Sequence, residues 1–275
     1  MSGDRLAPDS DAQRQFWAEL RAATQARIGL GRTGNALPTA RVLEFRAAHA
    51  AARDAVHTPL EVDALHERIA AAGLGEPVRV HSRARDRAEY LRRPDLGRLP
   101  GESWPFTGDH GDASVRTGDT ADIGIVLADG LSPGAVLAHG PAMIDALVTE
   151  FGPTASFAPP VIATQARVAL GDHIAVAMGV ATVLVLIGER PGLSVADSLG
   201  VYLTHHPRPG RTDADRNCVS NIHCPNGLGY RQAARVVAGL VAGARRLGRS
   251  GVDLKDLSGS DLTSTEREHL PNAHD

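Results

Sequence analysis

The sequence predicts a doubly wound α/β domain with a mainly parallel sheet, preceded by an α-helical amino-terminal region. Three observations carry this. From residue 121 onward, short apolar runs alternate with stretches of helical period. One run, Val183 to Ile187, is continuously apolar, as a strand buried on both faces must be. Most of the first ninety residues place their apolar side chains near a 3.6-residue period.

Taken in order, Ser10 or Asp11 can cap a helix running to about Gly31, with Phe16, Leu20, Ala23, Ala26 and Ile28 on its apolar side. Pro38 suits the first turn of a second helix that carries Val42, Phe45, Ala48, Ala52 and Val56 on one side. A third spans about Leu60 to Ala72 and stops at Gly73. Residues 1–100 are therefore expected to be a helical region, and 101–120, polar and rich in Asp and Gly, a linker or an irregular segment. In residues 121–255, "IGIVL" is a strand breaking at Asp129-Gly130, Pro133 to Phe151 a helix, "PPVIATQ" a strand and "HIAVAMG" a short helix. "ATVLVLIGERPG" and "SLGVYLTHH" follow as strands, and Gly229 to Arg246 closes the pattern as a helix. The polar residues 256–275 are expected to be a disordered tail. Ligands of such sheets bind beyond the carboxyl ends of the strands, so the loops after Leu127 and Ile187 are the expected binding region.

Composition narrows the partner. Basic residues number 29 and acidic 32, for a formal charge of −3, which argues against a nucleic-acid backbone binder. No window approaches the roughly 18 to 20 apolar residues of a membrane span, and no apolar signal core opens the chain, so the expected location is the cytoplasm. Cys218 and Cys224 are weighed as site residues rather than as a disulfide.

Four motifs offer chemistry. Gly29, Gly31 and Gly34 have the G-x-G-x-x-G spacing, with Asp54 twenty residues beyond. That spacing would suit a stand-alone nucleotide-dependent oxidoreductase, but the fingerprint requires a preceding strand, and "FWAELRAATQARI" reads as helix. A helix-to-helix turn is the reading taken. His205, His206, Cys218, His223 and Cys224 are zinc-type ligands and would suit a zinc-stabilised scaffold using Cys218, His223 and Cys224, although C-x4-H-C lacks a paired C-x2-C. Glu189 and Arg190 follow the best strand and fit either a solvated turn or a polar hook at a binding loop. Ser132 and Asp129 could join a histidine in a triad on paper, but no G-x-S-x-G supports one.

The segments "ARIGLGRTGNALPT", "EYLRRPDLGR", "LADGLSP", "LIGERPGLSVADSLGVYLTHHP" and "DRNCVSNIHCPNGLGY" occur in an order that resembles the small subunits of ethanolamine ammonia-lyases, over about residues 12 to 254. The resemblance implies a Rossmann-like domain that helps to bind adenosylcobalamin against a large catalytic subunit, in an enzyme converting ethanolamine to acetaldehyde and ammonia. It implies a higher hetero-oligomer, inactive as this chain alone, and leaves enclosure in a bacterial microcompartment open. The family's cofactor contacts fall on Val168 in "ARVALGD", Glu189 in "GERPGL" and Cys218 in "DRNCVSNI". No catalytic residue and no metal ligand is expected in this chain. "GDHIAVAMG" departs from the D-x-H-x-x-G of proteins that ligate cobalt through histidine, because Asp172 and His173 are adjacent. Base-on binding without a protein ligand to cobalt is therefore implied. Residues 101–120 and Cys224 have no counterpart that carries a role.

Overall fold

A computed structural model describes residues 11–106 and 121–256; the remainder of the expected linker and nearly all of the expected tail lie outside these. Three helices open the chain: α1 (Asp11–Ala22), α2 (Thr39–His57) and α3 (Val62–Ala70). Strand β1 (Val78–His81) and helix α4 (Arg87–Arg92) follow, both inside the region expected to be helical throughout. Then come β2 (Ile123–Ala128), α5 (Pro133–Phe151), β3 (Val161–Thr164), α6 (Leu170–Met178) and β4 (Thr182–Gly188). The chain closes with β5 (Leu199–His205), β6 (Asn217–Ile222) and α7 (Tyr230–Leu247).

The six strands form one sheet in the order β1-β3-β2-β4-β5-β6. The pairs β1–β3, β3–β2 and β2–β4 are parallel, whereas β4–β5 and β5–β6 are antiparallel. The sheet is thus mixed, which corrects the mainly parallel, doubly wound expectation at one edge. The cause is local: only the segment Glu189–Ser198 separates β4 from β5, with no helix to carry the chain back for a parallel return.

Period-two alternation explains why the central strands read as unbroken apolar runs. Ile123, Ile125 and Leu127 of β2 and Leu184 and Leu186 of β4 face a core shared with α3, α5 and α7. Val126 and Ala128 of β2 and Val183, Val185 and Ile187 of β4 face a second core under α6. Each such buried Leu, Ile or Val contributes roughly 1.5–3 kcal/mol. Strand β5 keeps only half of this pattern. Leu199, Val201 and Leu203 point into the first core, while Gly200, Tyr202 and Thr204 occupy the alternate positions on the α6 side. Helix α6 packs mainly on β2 and β4, and on its side of β5 Gly200 and Thr204 are buried while Tyr202 is half-buried.

A buried ion pair joins α6 to the β6 entry. Arg216 donates to both carboxylate oxygens of Asp172 at 2.8 and 2.7 Å and to the Thr204 hydroxyl at 2.7 Å, with both charged side chains 1% exposed. Bidentate geometry supplies the attraction that burial of two charges demands.

The glycine motif lies between α1 and α2, after a helix rather than a strand. Gly29, Gly31 and Gly34 have φ of 57, 76 and 59°, and Thr33 and Ala36 exchange backbone hydrogen bonds of 2.8 and 3.1 Å around the Gly34-Asn35 turn. The segment reaches across to the β4–β5 loop: Arg27 donates to the Leu193 carbonyl at 3.1 Å, and the Ser194 hydroxyl to the Gln25 carbonyl at 3.1 Å. Helix α2 buries none of its residues fully, leaving Leu43 58% and Phe45 46% exposed. The apolar side foreseen for this helix is thus only partly covered by the chain itself.

Two outcomes follow. Arg216→Met strands the Asp172 carboxylate and should cost about 3–5 kcal/mol in urea unfolding, with Asp172→Leu added to it recovering part of the loss; a loss below 1 kcal/mol would mean that water reaches the pair. Burial lowers the pKa of His139, His173 and His205 from 6.5. Below that value the unfolded chain takes up protons that the folded chain refuses, so stability is full above it and declines as pH falls. Melting temperatures at pH 7.5 and 5.5 should show the decline, and His139→Gln should lessen it; identical melting temperatures would oppose it.

Candidate functional site

The chain runs from β2 through α5 to β3 on one side, then through α6 to β4 on the other side of β2. A crevice opens where the connections part, beyond the carboxyl ends of β2 and β4. It encloses about 430 Å3 and is lined by Gly130 and Leu131 after β2, Arg167 and Val168 before α6, Ile187, Gly188, Glu189 and Arg190 at the end of β4, and Tyr202 of β5.

Its floor is backbone. A β-carbon on Gly188 would stand 2.0 Å from the Ser132 carbonyl oxygen, and one on Gly130, where φ is 57°, would stand 2.2 Å from the Gly188 oxygen. Only glycine permits this approach of the two loops. The Leu131 N–H donates to the Gly188 carbonyl at 2.9 Å, and the Ser132 hydroxyl donates to the Ala196 carbonyl at 2.9 Å, fixing the β4–β5 loop beside the opening.

Asp129 sets the other boundary. It is 1% exposed and accepts the Ala166 N–H on Oδ1 at 2.9 Å and the Gln165 N–H on Oδ2 at 2.8 Å. Arg87 approaches Oδ2 at 3.4 Å and donates to the Gly130 and Val56 carbonyls at 2.8 and 2.7 Å. Burial pushes the Asp129 pKa up; the Ala166 N–H, Arg87 and the Gln165 N–H draw it back. Ser132 and Asp129 are thus both committed to loop-fixing bonds, and no histidine joins either in a triad among the described residues.

Of the three residues singled out in sequence, Val168 and Glu189 line the crevice, and Cys218 lies opposite Tyr202 in the β5–β6 pairing. Val168 is half-buried against the α6 core. Glu189 Oε2 accepts the Asn221 N–H at 3.1 Å, and Oε1 lies over Gly200, where a β-carbon would come within 3.0 Å of it. Cys218 reaches solvent, yet the protein around it pushes its thiol up to about 11, against the lowering effect of a hydrogen bond from Tyr202. Desolvation, together with that bond to Cys218, pushes Tyr202 up to about 12. At neutral pH both groups are protonated, so the wall offers a neutral phenol and a neutral thiol.

Sequence reasoning missed Arg167 and Tyr202. Arg167 adjoins Val168 and could have been found by asking which charges flank it. Tyr202 required the β5–β6 register. The five zinc-type side chains are not gathered: His205 and His206 stand at the end of β5 beside the start of β4, whereas His223 and Cys224 follow β6 at its opposite end. Among the described residues no three His, Cys, Asp or Glu side chains form a group able to hold a metal ion. No described helix is long and apolar enough to cross a membrane.

Comparison with known proteins bears on this geometry directly. The profile of the ethanolamine ammonia-lyase light chain (EutC) matches residues 14–255. The chain is 63% identical to the ethanolamine ammonia-lyase small subunit of Rhodococcus erythropolis over 91% of its own length and 93% of that protein. It is 46% identical to the small subunit of Ralstonia nicotianae over 98% and 99% of the two chains, and 49% identical to that of Rhodopseudomonas palustris over 91% and 94%.

The thiol environment is open to a direct check. In a Cys224→Ser background, iodoacetamide labelling of Cys218 should rise with a midpoint at about 11, and Tyr202→Phe should move it higher. A midpoint near the roughly 8.5 of free cysteine would refute the desolvated setting.

Proposed function

The chain belongs to the ethanolamine ammonia-lyase light chain family, a subunit of a carbon–nitrogen lyase, and from that premise we propose that its crevice holds one edge of adenosylcobalamin against a large subunit. The observation carrying this reading is convergence. Val168 and Glu189, far apart in sequence, line one opening at the carboxyl ends of the strands, and Cys218 lies opposite Tyr202 of the same lining in the β5–β6 pairing.

The residues present fit such a group. A corrin is a wide, largely apolar plane fringed by amides. Leu131, Val168 and Ile187 offer apolar contact, and the Glu189 carboxylate can accept from an amide N–H. The glycine floor lets a flat edge approach closely, and the buried Arg167 Nε has no acceptor within the described chain. Base-on binding, implied by the family resemblance, belongs to the same proposal. At about 430 Å3 the crevice takes part of so large a ligand, so the rest falls to the partner.

When bound, adenosylcobalamin supplies an organic radical through homolysis of its cobalt–carbon bond. This chain's share is a wall. Val168 and the glycine floor would exclude water from one side, Glu189 would orient amides, and the protonated Cys218 and Tyr202 add no charge to this wall. Ethanolamine would react on the large subunit, giving acetaldehyde and ammonia. The partly uncovered α2 and its exposed Leu43 and Phe45 support burial of that helix in a hetero-oligomer.

In the co-expressed complex, Val168→Asp should weaken cobalamin binding about tenfold or more, and Glu189→Gln less, as read by equilibrium titration, while the ethanolamine KM stays within about twofold. Unchanged cobalamin affinity in both variants would remove the reading. NAD binding by the isolated chain in calorimetry would favour the oxidoreductase alternative instead.

A further inference from the structure

The crevice holds a charge that the chain does not neutralise. Arg167 is placed by its own backbone N–H, which donates to the Gly97 carbonyl at 2.8 Å, and its guanidinium stacks 4.5 Å over the ring of the fully buried Tyr90. Arg87 lies 4.9 Å from the same ring but is paired with Asp129 and held by the carbonyls of Gly130 and Val56, with its buried Nη2 left without a partner among the described residues. Asp129 is thereby used up. Among the described residues Arg167 pairs with no carboxylate, and its Nε is buried without an acceptor. Glu189, the acid of the crevice, turns Oε2 to the Asn221 N–H and forms no ion pair within 4.0 Å of either neighbouring arginine. Arg190 adds an exposed, unpaired cation at the rim.

The lining therefore holds two cations and one acid, an excess of one positive charge. A half-buried guanidinium without a counter-charge is costly, and a planar fork of N–H donors suits a phosphate oxygen pair. We propose that Arg167 binds the monoanionic phosphodiester that joins the corrin of the cofactor to its nucleotide tail. This rests on the reading that the crevice holds cobalamin. The phosphodiester is the anionic link in a periphery otherwise made of neutral amides, and its single charge matches the excess. Val168, next in sequence, then touches the corrin while Arg167 takes the tail, so two adjacent residues read two parts of one ligand.

The test compares two corrinoids on the complex assembled with the large subunit: cobalamin, and cobinamide, which lacks the phosphodiester and the base. Affinities are read by titration, with cobinamide measured by competition against cobalamin so that weak binding is still quantified. Arg167→Gln should weaken cobalamin about tenfold or more and leave cobinamide within about twofold, while Arg167→Lys, which keeps the charge but not the planar fork, falls between wild type and Gln. Thermal melting of each variant checks that the fold is retained. Equal loss for both corrinoids, or loss for neither, overturns the assignment. A cobalamin effect accompanied by weaker subunit association in cofactor-free sedimentation overturns it too, by making a carboxylate of the partner the counter-charge. Val168→Asp separates the two levels of the argument: if it weakens both corrinoids while Arg167→Gln weakens neither, the crevice holds cobalamin and the phosphodiester lies elsewhere. If neither variant alters either affinity, the cofactor reading itself fails.

Discussion

The carboxylate of Asp129 is the fixed point of this molecule's binding end. It leaves the sheet at the last position before the β2 chain turns, and its two oxygens draw in the backbone of Gln165 and Ala166 from the far side of the switch. The segment so held carries Arg167 and Val168 into the crevice. Arg87, gathered by the same carboxylate, ties α4 and the end of α2 to the Gly130 loop. Without this one acid, three separate pieces of chain would have no common register. A buried carboxylate is an unfavourable choice unless its donors are all in place, and here those donors are the walls of the site.

A second constraint is the reversal of direction at β5. A parallel return would have needed a crossover helix; the antiparallel one instead sets Tyr202 against Cys218 across β5 and β6, with Tyr202 lining the crevice beside Glu189. The Tyr202 wall of the crevice is thus a product of that short connection.

How much of this was written in the sequence varies with burial. Strands buried on both faces announce themselves: "IGIVL" and "VLVLI" allow no other reading, and α5 and α7 followed from their period and their flanking glycines and prolines. Strand β1 was hidden because its arginine interrupts two valines in a stretch of four residues, and β6 because half its positions face solvent and are polar. Neither direction of pairing nor a cross-strand neighbour such as Tyr202 to Cys218 is encoded in local pattern. Helix α2 shows the opposite failure, since its apolar spacing is real but the described residues supply too little surface to cover it. Val168, Glu189 and Cys218 came from family resemblance, since a valine, a glutamate and a cysteine at those positions would each pass for an ordinary core or loop residue. Geometry added what neither pattern nor resemblance carried, namely Arg167 and the phenol of Tyr202 at the same opening.

The glycine floor has a consequence for the ways this site can diverge. Methyl groups on Gly130 or Gly188 would collide with backbone oxygens at 2.2 and 2.0 Å, so neither position can be explored by substitution without parting the β2 and β4 loops. Change in this crevice is thereby channelled into the side walls, where Arg167, Val168, Glu189 and Tyr202 present side chains rather than backbone. On the proposed reading, a designer seeking a different corrinoid would vary the side walls and keep the glycine base beneath them.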